Sequence, residues 1–142
     1  MTRALTVSVC ALALLLAGCG GNGDTAKRKT ACANAKAAYA SYTAAGSAVG
    51  LDFFNHTKDV AVVNAAGAFR ARVLTLAPLT SESQRRQLDG LARALALHKR
   101  ILSALAAHQV SLVRKLTTPA FEKELHEGRA NFEKVCANSA SS

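Results

Sequence analysis

The chain has 142 residues, a formal charge of +9 and a mean hydropathy of +0.13. That length makes one domain with a real core and excludes two. Half of the residues are hydrophobic, yet only 5% are aromatic and none is Trp. An apolar content made mostly of Ala, Leu and Val favours helix over sheet.

The chain opens with Met1-Thr2-Arg3, one positive charge, followed by an uncharged apolar run from Ala4 to Leu16. The run is too short for a spanning helix of about 20 residues and has the length of a signal h-region. Leu16-Ala17-Gly18-Cys19 then resembles the lipobox of bacterial lipoproteins. The resemblance implies that diacylglycerol is joined to the Cys19 thiol and that residues 1–18 are removed as a signal peptide. It places the protein on the extracytoplasmic face of the cell membrane, held by lipidated Cys19. Two acyl chains suffice for stable anchoring where one is marginal. The address also changes what the charge means. A cytoplasmic protein this basic would suggest nucleic acid, whereas an exported one meets anionic lipid headgroups and acidic wall polymers.

Residues 19–29 read as a flexible tether, because Gly20-Gly21-Asn22-Gly23-Asp24-Thr25 has no apolar pattern. Ten such residues would hold the domain roughly 15–20 Å from the bilayer. Lys27-Arg28-Lys29 is either a basic collar for anionic headgroups or a solvated charge run. Gly18 to Gly23 satisfies the spacing G-x-G-x-x-G, but no strand precedes it and cleavage would cut it, so it is no dinucleotide site.

Residues 30–138 carry four apolar ladders at helical spacing. The first is Cys32, Ala35, Tyr39, Tyr42 and Gly46, with Gly46 and Gly50 as its expected end. The second is Val62, Ala66, Phe69, Val73 and Leu76, with Asn55 or Thr57 as its cap and Pro78 as its stop. The third begins at a capping box formed by Ser81 and Gln84 and runs from Leu88 through Leu91, Leu95, His98 and Leu102 to Leu116. As one piece from Glu82 to Leu116 it would be about 52 Å long, so it overhangs, bends or breaks near His108. Thr118-Pro119 opens the fourth, which is Phe121, Leu125, Gly128, Phe132 and Val135. These ladders predict an all-α, antiparallel four-helix bundle, with residues 139–142 as a disordered tail.

Cys32 and Cys136 remain after Cys10 leaves with the leader and Cys19 is acylated. An oxidising compartment predicts a disulfide between them. In an up-down bundle with an even helix count, the start of the first helix and the end of the last lie together, so the pairing and the fold support each other. Redox pairs sit close in sequence, as C-x-x-C, and these two do not.

Little else carries chemistry. His56, His98, His108 and His126 form no i,i+3 or i,i+4 pair, and Glu-x-x-His is absent. His98 holds a core rung, where a hydrogen-bonded polar residue is expected and a haem or buried-ligand contact is the alternative. Glu122, Glu124, Glu127 and Glu133 read as a solvated face. Arg86, Arg93, Arg100 and Arg114 recur at seven or fourteen residues and line one stripe opposite the leucines, a candidate surface for lipid headgroups or wall polymer.

Past the lipobox, Ala-rich helices bracketed by two cysteines resemble the small helical secreted lipoproteins of actinobacteria. The likeness rests on layout and implies no activity. The expectation is a non-enzymatic, envelope-associated binding module for a protein or an anionic envelope component, with no cofactor, metal or nucleic acid. A small-molecule or haem carrier with a site inside the bundle is the alternative.

Overall fold

A computed structural model describes residues 22–49 and 56–138. They form α1 (Asn22–Val49), α2 (His56–Leu76), a 3-10 turn (Ala77–Leu79), α3 (Glu82–Ala106), α4 (Val110–Leu116) and α5 (Pro119–Asn138). The described residues are all-α, without a strand. The leader, Cys19, Gly50, Asn55 and the tail 139–142 lie outside the described residues.

Three boundaries differ from the expected ones. Helix α1 starts at Asn22, so Asn22 to Lys29 are helical and not part of a flexible tether. Ala26, Lys27, Arg28 and Lys29 are good helix formers, and Asp24 lies in the first turn, where a carboxylate complements the helix dipole. Gly46 does not end this helix, which runs on to Val49. At the start of α2, Thr57 lies inside the helix, which begins at His56.

The long third ladder breaks near His108, one of the outcomes its length allows. Helix α3 ends at Ala106 and α4 begins at Val110. The Gln109 N–H donates to the Ala104 carbonyl at 2.8 Å and the His108 N–H to the Leu105 carbonyl at 2.9 Å. This is the hydrogen-bond pattern of a Schellman stop, with His108 at φ 55° in the left-handed position that glycine normally fills. The ladder fades where the helix stops. Leu88, Leu91 and Leu95 are fully buried, Leu102 is half-buried, and Leu105 and Gln109 are exposed. The described residues therefore form five α-helices, not four.

The other caps form as expected. Ser81 and Gln84 make a reciprocal capping box at α3, and the Phe121 N–H donates to Thr118 Oγ1 at 3.2 Å at the start of α5.

Helix α2 packs on α1 and on α3, and α3 packs on α5. Between α2 and α3, the Arg70 Nε–H donates to the Ala92 carbonyl at 3.0 Å, while a Cβ on Gly67 would lie 3.7 Å from Lys99 Nζ. Between α3 and α5, a Cβ on Gly128 would fall 2.9 Å from Leu91 Cβ, so the two helices approach closely at this glycine. Val60–Leu79 has the length and hydropathy of a membrane span. Val62, Ala66, Phe69, Val73 and Leu76 on it are nonetheless core residues at 2% exposure or less, as on a central helix of a packed domain.

Helices α1 and α5 meet along a thinner seam. Cys32 and Cys136 come together there as a disulfide, with Cα atoms 5.4 Å apart. Arg28 donates across the same seam to the Val135 carbonyl at 3.4 Å.

Candidate functional site

The four arginines of the predicted stripe are all exposed. On α3 the reason is helical phase: Leu88, Leu91 and Leu95 take the buried face, which leaves Arg86, Arg93 and Arg100 on the outer one. They are not equivalent. Arg93 lies 3.7 Å from Glu124 on α5, an exposed pair of small energetic weight that still offsets part of its charge. Arg114 does not continue the α3 stripe. It sits on α4, and the His108 turn resets the helical phase between them. The surface that one helix builds is thus Arg86, Arg93 and Arg100, with Arg114 carried separately.

A second basic feature lies where α3 ends. A groove of about 410 Å³ runs between α3 and α4, lined by Lys99, Arg100, Ala104, Gln109, Leu112 and Leu116 together with Ser103 and Ala107. Ala104 is buried and Leu112 and Leu116 are half-buried, which makes an apolar floor. Lys99 and Arg100 are exposed and line its edge, with Lys99 Nζ lying toward Gly67 of α2. The lining holds two cations and no carboxylate. Lys99 was not singled out in the sequence, because nothing local shows that α4 folds back beside it.

Inside the helices is a polar cluster built from three elements. The Tyr42 hydroxyl on α1 is hydrogen-bonded to His98 Nδ1 on α3, and Arg129 Nη2 on α5 donates to the same hydroxyl. Arg129 can only donate, so the Tyr42 oxygen accepts from it, and the hydroxyl and Nδ1 share the second hydrogen bond. The Arg129 guanidinium also lies 5.1 Å from the centre of the Tyr42 ring, a cation–π contact. Burial, reinforced by the Arg129 charge, pushes the His98 imidazole down to about 4. Burial likewise raises the Tyr42 hydroxyl, against the opposing pull of Arg129.

Aromatic rings enclose this cluster. Tyr39, Phe69 and Phe132 sit with ring centres 5.1 to 5.7 Å apart, and Phe121 lies 5.9 Å from the His98 ring. The Tyr39 and Tyr42 ladder positions are therefore packed core. Arg129 was missed in the sequence, although it stands four residues after Leu125 and three before Phe132, on the core edge of its helix. Among the described residues no group of three or more His, Cys, Asp or Glu side chains converges in a way that could hold a metal ion. His98 Nδ1, the rung considered for a haem or ligand contact, is taken up by Tyr42.

No family model, no curated protein and no solved structure matches this chain.

Proposed function

We propose that the protein is a lipid-anchored, extracytoplasmic antiparallel four-helix bundle, made of α1, α2, α3 and α5 with α4 as a short appendage. In this reading it is a non-enzymatic module that holds a protein or an anionic envelope component against the exposed face of α3. The observation that carries the reading is the placement of Arg86, Arg93 and Arg100 on one exposed face of a single helix in a chain of charge +9.

Two further features support it. Contacts between α2 and α3 and between α3 and α5 pair rising residue numbers with falling ones, as Gly67 with Lys99, Arg70 with Ala92, Gly128 with Leu91 and Glu124 with Arg93 do. The start of α1 at Asn22 also shortens the link to Cys19 to a few residues, a reach of at most about 10 Å. Lys27 and Lys29, both exposed, then lie at the anchored end of the molecule, where anionic headgroups attract them most at low salt, while Arg28 is held at the α1–α5 seam.

Two measurements test the reading. Mass spectrometry of the protein from its native envelope is expected to find residue 19 at the N-terminus carrying two or more acyl chains, and an unacylated, uncleaved chain refutes the anchor. The lipidated chain in zwitterionic nanodiscs is expected to bind soluble anionic wall polymer with an affinity that falls as salt rises. Arg86→Glu with Arg93→Glu should weaken that binding roughly tenfold at low salt. Binding that ignores both salt and charge reversal rules out the α3 face.

A further inference from the structure

We propose that the groove between α3 and α4 is a binding site for a single-chain anionic amphiphile of the long-chain fatty-acid type. The site shares Arg100 with the α3 outer face but does not involve Arg86, Arg93 or Cys19. Its parts are chemically segregated. Ala104, Leu112 and Leu116 form an apolar floor, and Lys99 and Arg100 stand exposed at the rim. At about 410 Å³ it falls within the ordinary range of small-ligand sites, roughly 300–1,000 Å³.

Charge complementarity selects the occupant. The lining holds two cations, no carboxylate, and the side-chain amide of Gln109, while the Ser103 hydroxyl donates to the Lys99 carbonyl. A neutral lipid would leave the rim cations unanswered, and a small hydrophilic anion would leave the leucine floor wet. A carboxylate on an alkyl chain satisfies both. Outside the groove, Leu105 is 37% exposed and Val110 is 64% exposed on either side of the His108 turn.

The groove also sits far from the proposed anchor. Tyr42, which meets His98 one residue before Lys99, is about 30 Å along α1 from Asn22. A ligand held here is presented away from the anchored end of the molecule.

The test uses the lipidated chain in zwitterionic nanodiscs and a photoactivatable hexadecanoic acid, with adducts mapped by peptide mass spectrometry. Adducts are expected to concentrate on residues 101–116. Lys99→Glu with Arg100→Glu should lower them roughly tenfold, and Leu112→Asp should do the same. Arg86→Glu lies outside the groove and should leave labelling unchanged, so this site and the α3-face reading fail separately. A twelve-carbon acid should compete at least about tenfold better than an eight-carbon one, since each buried methylene strengthens binding. Circular dichroism of each variant confirms the helices. Adducts spread evenly along the chain, equal labelling by a neutral monoacylglycerol analogue, or labelling untouched by the charge reversal each overturn the proposal.

Discussion

His98 is a half-buried titratable group on a core rung of α3. In the unfolded chain an imidazole titrates near 6.5, whereas burial among Tyr42, Phe121 and the Arg129 charge holds it near 4 in the folded one. Between those two values the unfolded state takes up a proton that the folded state refuses. Stability should therefore fall as the pH drops from about 6.5 to about 4, and His98 should contribute nothing further below that. Above pH 6.5 its contribution is flat. His98→Gln keeps a hydrogen-bonding group but removes the titration, so its melting temperature should fall less over this window than the parent's. Equal slopes for the two proteins would show that the ring is not held neutral by its surroundings. Tyr42 works at the other extreme: its raised value means that stability is lost as the pH climbs past about 10.

Two glycines inside helices show how packing overrides propensity at the scale of an element. A glycine in a helix interior costs about 0.5–1 kcal/mol relative to alanine. At Gly67 a Cβ would meet only the Lys99 side chain, Nζ at 3.7 Å and Cδ at 4.0 Å, the outer part of a flexible side chain. Gly67→Ala should accordingly stabilise by about 0.5–1 kcal/mol. At Gly128 the same Cβ would stand 2.9 Å from Leu91 Cβ and 3.2 Å from Leu91 Cα, so α3 and α5 would have to separate. Gly128→Ala should destabilise by about 1–3 kcal/mol despite its better helix propensity. Urea denaturation of both variants checks the opposite signs, and a stabilising Gly128→Ala would mean that the α3–α5 contact is looser than described. The ladder Phe121, Leu125, Gly128, Phe132, Val135 marks Gly128 as a core rung in the sequence. What the ladder does not show is which residue faces it, and Leu91 is what decides the cost.

At the scale of the whole molecule the seam between α1 and α5 depends on the Cys32–Cys136 link. Sequence separation is 104 residues, and closing a loop of that size stabilises by about 4–5 kcal/mol in the chain-entropy model. The rest of the seam combines the Tyr39–Phe132 ring contact with polar groups that are incompletely satisfied. Arg28 Nε and Arg129 Nε are both buried with no hydrogen-bond partner. Cys32→Ser with Cys136→Ser should lower the unfolding free energy by about 4–5 kcal/mol, read from the denaturation midpoint at unchanged m value. A loss below about 1 kcal/mol would show that the remaining α1–α5 contacts hold the seam unaided.

Much of this molecule is legible from residues close together in the chain. The buried faces of α2 and α5, the Ser81–Gln84 box, the Thr118-Pro119 start and the apposition of Cys32 with Cys136 all follow from spacing, because burial with a period of 3.6 and capping are local matters. One local reading went astray for a local reason as well: glycines near the start of α1 suggested a tether that the following Ala-Lys-Arg-Lys run outweighs. The length of the leucine ladder already allowed the break near His108, though no glycine marks that turn. Tertiary structure alone decided the remainder. The meeting of Tyr42, His98 and Arg129, the close approach at Gly128, and the groove that α4 makes by folding back beside Lys99 and Arg100 each depend on the rotation and register of one helix against another. Those are set by the sum of many side-chain contacts across the core, and no single stretch of sequence contains them.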